Sequence, residues 1–118
     1  MKNLAPNITR QRLLIEGYYA ISVNRTVIKN YYVLLTKTLK LKMYAQPIIH
    51  SPSGAGKAVN QGFDAFVPLI DSGIYVGAWT NEQFFSTVIY TCKHFDEKKA
   101  IAITKRFWKI KEVVWHSF

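Results

Sequence analysis

Apolar and polar positions change their period several times along the chain, and each change marks an element. Arg12–Val23 (RLLIEGYYAISV) is dense in Leu, Ile, Tyr and Val and predicts a strand, interrupted at Glu16 and Gly17. From Asn24 to Leu41 the period becomes helical. Val27, Tyr31, Leu34, Leu35, Thr38 and Leu41 recur at three- and four-residue steps, while Arg25, Lys29, Lys37 and Lys40 lie elsewhere on the wheel. Asn24 or Thr26 supplies the N-cap. Lys42–His50 reads as a second strand, with Pro47 placing it at an edge or a bulge. Two apolar runs, Phe66–Ile70 and Ile74–Trp79, meet at Asp71-Ser72-Gly73 and predict a hairpin. Strands are expected over Phe63–Asp71, Gly73–Trp79 and Phe84–Tyr90, the last two joined by a turn at Thr80-Asn81-Glu82. After a turn at Lys93-His94-Phe95, Asp96 caps a helix to about Trp108. Ala100, Ile101, Ile103, Thr104, Phe107 and Trp108 form its apolar stripe. Glu112–Trp115 is a short final strand. Residues 1–10, broken by Pro6 and Asn7, are expected as a mobile lead-in. The order β-α-β-β-β-β-α-β predicts an α+β fold, a two-layer α/β sandwich with an antiparallel β-sheet and two helices on one face.

Composition narrows the class. At 118 residues, 49% hydrophobic and 14% aromatic, the chain reads as a single domain (1–118) with a substantial core. One cysteine excludes an intrachain disulfide and a cysteine-based metal cluster, and fits a reducing, cytoplasmic setting. No 18-residue apolar run is present, so no membrane span is expected. The formal charge is +9. It describes either a solvated basic surface or attraction to polyanions. The lysines and arginines are scattered and no nucleic-acid motif surrounds them, so nucleic acid is not an expected partner.

Few residues carry chemistry by themselves. Ser51–Asn60 (SPSGAGKAVN) is a loop, either a connection or a flap over a pocket. Its GAGK lacks the glycine spacing and the Lys-Ser/Thr end of a phosphate loop. Glu16, inside an apolar strand, is either on the solvent face or a carboxylate awaiting a cationic ligand. Cys92 is either a small buried hydrophobe or a reactive thiol. His50, His94 and His116 have no triad spacing; His50, beside the loop, is the one to watch.

The stretch Gln61–Cys92 resembles the small prokaryotic S-adenosylmethionine decarboxylases. It carries Gln61-Gly62 before a strand, an acidic-Ser junction at Asp71-Ser72, a strand ending in Trp79, and the aromatic-Thr-Cys triplet Tyr90-Thr91-Cys92. LLIEGYY resembles that family's first strand with its glutamate, here Glu16. The resemblance implies self-cleavage at Asp71-Ser72, a pyruvoyl group from Ser72 as electron sink, and Cys92 as proton donor. Two positions depart. The family's processing histidine, five residues after the serine, is Gly77 here, and a serine two residues after Gln-Gly is Asp64. Losing the imidazole removes a proton-transfer step that pyruvoyl formation needs. The expected function is therefore S-adenosylmethionine lysis without a cofactor. The substrate's own carboxylate displaces its sulfonium, giving homoserine lactone and methylthioadenosine, as in the small α/β-sandwich lyases of bacteriophages. If phage-encoded, the protein would act in the host cytoplasm. A pyruvoyl-dependent decarboxylase and a non-catalytic S-adenosylmethionine-binding or interaction protein remain alternatives. Asp71, Ser72, Cys92 and Asp64 are the candidate catalytic residues. Glu16, Phe63, Trp79 and Tyr90 are candidates for holding the substrate, with Phe84 a further aromatic for the adenine. A homo-oligomer, dimer or trimer, is expected to cover the sheet face the helices leave open.

Overall fold

The computed structural model describes residues 1–51, 58 and 61–118. The loop expected at Ser51–Asn60, a connection or a flap, with its GAGK, therefore lies almost wholly outside the described residues. The elements follow the expected order: β1 (Gln11–Tyr18), α1 (Arg25–Leu39), β2 (Ile48–His50), β3 (Gly62–Leu69), β4 (Ser72–Trp79), β5 (Phe84–Thr91), α2 (Glu97–Phe107) and β6 (Val114–Ser117). The strands form one antiparallel sheet in the order β2-β3-β4-β5-β1-β6. Both helices pack on one face of it, as the sequence pattern implies.

The alternation along the strands explains the layers. Leu13 and Ile15, Val67 and Leu69, Ile74 and Val76, and Phe85 and Ile89 point to the helices and are buried. Tyr31 of α1 sits at the centre of that layer. Its ring meets Phe85 edge-on at 5.7 Å and Trp108 at 5.5 Å. Its hydroxyl shares a 2.7 Å hydrogen bond with Thr104 of α2, so one side chain joins both helices to the sheet. Tyr32 Oη donates to Ile74 O at 3.2 Å, fastening α1 to β4.

Several boundaries differ from expectation. The first strand stops at Tyr18 instead of running to Val23, because its partner β5 begins at Phe84, directly opposite. Beyond it, Tyr19 N–H bonds Gln83 O and Ala20 N–H bonds Trp108 O, so the chain leaves the sheet. In α1 the cap is Asn24, whose side chain accepts from Val27 N–H. The buried stripe is Ile28, Tyr31, Tyr32, Leu35, Thr36 and Leu39. Leu34 falls outside it and is 38% exposed. The second strand is only three residues long, at the sheet edge as Pro47 suggested. The β3–β4 turn is Ile70-Asp71, two residues, and Ser72 and Gly73 already belong to β4. Asp71 takes a left-handed conformation (φ 62), which Asp tolerates better than most residues. The last strand begins two residues later than predicted. The lead-in is folded back on itself: Ile8 N–H bonds Ala5 O, and Arg10 binds the Asn3 side chain and Ala5 O.

Candidate active site

Among the described residues, no layer lies over the face of the sheet away from the helices. Strand pairing sets its side chains in rows. One row runs Asp64, Gly77, Ser86, Glu16 across β3, β4, β5 and β1. A second runs Phe66, Tyr75, Val88, Leu14. Trp79, Phe84 and Tyr18 line one end. Two carboxylates thus stand on a largely apolar and aromatic surface, three strand spacings or about 14 Å apart. Each is held. Tyr75 Oη donates to Asp64 Oδ1 at 3.1 Å, and Ser86 Oγ donates to Glu16 Oε2 at 2.8 Å. Burial, then the neighbouring Asp64 charge and this hydrogen bond, push the Tyr75 phenol up to about 12. Tyr75 is therefore a permanent donor at neutral pH and holds the Asp64 carboxylate in place.

Gly77 lies between Asp64 and Ser86. A Cβ there would come within 2.8 Å of Tyr75 Oη and 2.9 Å of Trp79 Cζ3. Its backbone is not left-handed; the missing side chain makes room for those two rings to lean across the row. The position where the resembled family carries its processing histidine is thus filled by neighbouring side chains.

Two recesses adjoin on this face. One, of about 380 Å³, is lined by Phe66, Asp71, Ser72, Tyr75, Val88 and Tyr90. The other, of about 200 Å³, is lined by Ile48, His50, Asp64, Phe66 and Tyr75. Phe66 and Tyr75 belong to both, so the two form one shallow trough from the Ile70-Asp71 turn to Asp64. His50 pairs directly opposite Asp64.

The residues singled out from sequence fall in four places. Asp71, Ser72, Tyr90 and Asp64 line the trough. Glu16 and Trp79 stand on the same face beyond it, with Phe84 5.5 Å from Trp79. Cys92 is exposed and lies near Ser72, its backbone N–H donating to Ser72 Oγ at 3.2 Å. It opens instead into a separate pocket of about 170 Å³ behind the turn, with Asp71, Lys40, Lys42 and Lys93. Phe63, the remaining candidate for holding the substrate, lies on the face that Ala65 and Val67 share and packs, partly buried, against the core. No group of three metal-ligating side chains occurs among the described residues.

Sequence reasoning missed Tyr75 and Ser86. Tyr75 is reached by counting only once the turn length is known, and Ser86 meets Glu16 only through the β1–β5 pairing. From a two-residue turn at Ile70-Asp71, pairing runs Leu69 with Ser72 and so on to Phe66 with Tyr75 and Asp64 with Gly77. The three-residue turn expected at 71–73 shifts that count and separates the partners.

No family model matches the chain, and no curated protein matches it. Among solved structures, its fold is similar to that of the adenosylmethionine decarboxylase from Aquifex aeolicus VF5. The TM-score is 0.73, at 14% identity, over 94% of this chain and 89% of that one. The two share the α+β sandwich.

Proposed function

We propose that the trough on the open sheet face binds S-adenosylmethionine and that the protein is a cofactor-independent S-adenosylmethionine lyase. The observation that carries this reading is the row of held carboxylates on an aromatic surface, with Gly77 where a processing imidazole would stand. A sulfonium ligand with an α-ammonium group suits such a surface. Carboxylates pair with the ammonium, and aromatic faces attract the sulfonium and stack on adenine. The lysine-lined pocket beside Cys92 does not suit it, because three ammonium groups repel a cation.

The chemistry needs little from the protein. The substrate carboxylate attacks its own γ-carbon, the C–S bond breaks, and its electron pair leaves with methylthioadenosine. Opposite charges are neutralised in that step, so a dry, apolar environment favours the transition state over the separated charges. Holding the methionine tail folded supplies the rest; orientation is worth about 7–11 kcal/mol in favourable intramolecular cases. Asp64, positioned by Tyr75, holds the α-ammonium, which stays charged throughout. Phe66, Val88 and Tyr90 face the adenosine. Dryness requires a cover, and a second copy of the chain over the open face supplies it in this reading.

The test is incubation with S-adenosylmethionine, with chromatography of products and intact-mass measurement of the chain. Methylthioadenosine and homoserine lactone from an uncut chain are expected. Carbon dioxide, decarboxylated product and a chain cut before Ser72 would replace this reading with the decarboxylase. Saturable binding without turnover would leave a non-catalytic binding protein.

A further inference from the structure

A recess of about 780 Å³ lies outside the trough and shares no residue with it. The lead-in, the start of β1 and the end of β6 enclose it. Five basic side chains line it: Lys2, Arg10, Arg12, His94 and His116, and no Asp or Glu does. One carboxylate touches the lining, Glu97, which accepts a hydrogen bond from Ser117 Oγ at 2.5 Å. Arg12 Nε is buried and has no hydrogen-bond partner. A guanidinium donor held away from water without an acceptor is costly, and an oxyanion in the recess that drew the guanidinium toward it would relieve that cost. One wall is flat and aromatic. His116 and Phe118 lie parallel within 5°, centroids 5.8 Å apart, and the Arg12 guanidinium carbon sits 5.5 Å from the Phe118 ring centre. The volume falls in the range of small-molecule sites, about 300–1,000 Å³.

We infer that this recess is a binding site for an organic phosphate carrying a flat ring, with nucleoside monophosphates as the matching class. The phosphate meets Arg12 and the basic side chains around it; the base lies along His116 and Phe118. Guanidinium groups suit this role because their donors form a planar fork that matches two phosphate oxygens.

Calorimetric titration of the full chain with AMP, adenosine and inorganic phosphate tests this without any use of S-adenosylmethionine. AMP is expected to bind at least tenfold more tightly than adenosine, and inorganic phosphate to displace it. Arg12→Met keeps the stem against Phe118 and removes the donors; AMP affinity should fall at least tenfold. Lys2→Glu, at an exposed position, should weaken AMP several-fold without disturbing folding, which circular dichroism checks. Equal affinity for AMP and adenosine, no binding of AMP, or unchanged AMP affinity in both variants would overturn the assignment.

Discussion

At the scale of single residues, the proposed chemistry rests on Asp64 and the phenol that holds it. Asp64→Asn removes the charge that would pair with the substrate ammonium. A hydrogen bond or ion contact to a charged group is worth about 1.5–3 kcal/mol, so turnover should fall roughly 10- to 100-fold in steady-state assays of methylthioadenosine release. Tyr75→Phe leaves the carboxylate in place but unheld, and a loss of about tenfold is expected. Ser72→Ala separates the two chemistries. Its hydroxyl accepts only from Cys92 N–H among the bonds described, so lyase turnover should stay within about twofold of wild type, whereas a pyruvoyl enzyme would lose all activity. Asp71 stood first among candidates when the turn alone was in view. The structure puts it at the far end of the trough, about 20 Å along the strand from the Gly77–Asp64 pair, so Asp71→Asn should matter less than Asp64→Asn.

At the scale of elements, a close approach at Gly17 decides how one strand meets its neighbour. Gly17 in β1 faces the segment that follows α2. A Cβ there would run into Ile110 Cγ2 and come within 2.9 Å of Glu112 O. Gly17→Ala should therefore destabilise the fold by about 1–3 kcal/mol, read as a lower denaturant midpoint with unchanged slope. The glycine that seemed only to interrupt an apolar strand is where the chain after α2 crosses β1. Caps and the three central strands were legible because each is a local matter: Asn24 and Asp96 each accept from a backbone N–H three residues on. The end of β1 and the shortness of β2 were not, since a strand lasts only as long as its partner, and partners are distant in sequence.

At the scale of the whole molecule, the buried and half-buried tyrosines set the alkaline limit. Tyr19, Tyr31, Tyr32 and Tyr75 all have phenols shifted above the ordinary value of 10.0, chiefly by burial. The folded chain thus keeps protons that the unfolded chain releases above pH 10. Their contribution is complete below that value and is lost as pH rises through the folded values, about 12 for Tyr75. Circular dichroism should show stability unchanged by these groups near neutrality and falling steeply above pH 10. The open face makes a second prediction at this scale. Phe66 is 45% exposed and Tyr90 41%, on a face that no element among the described residues covers. If a second copy dries the trough, Val88→Glu should both shift sedimentation toward monomer and abolish turnover; a monomeric variant with full activity would remove the cover from the mechanism.

Sequence alone determined the period of each element, the caps and the two-layer α+β class. These depend on contacts within a few residues, where alternation and turn chemistry are direct physical causes. Only the tertiary structure decided which side chains share a row. Asp64 meets Gly77 and Tyr75, and Glu16 meets Ser86, through registers that a one-residue change of turn would reassign. It also decided that Phe63 packs, partly buried, against the core and that Cys92 opens among lysines. Register is a sum over distant pairings, so a local pattern can announce a strand without saying what stands beside it.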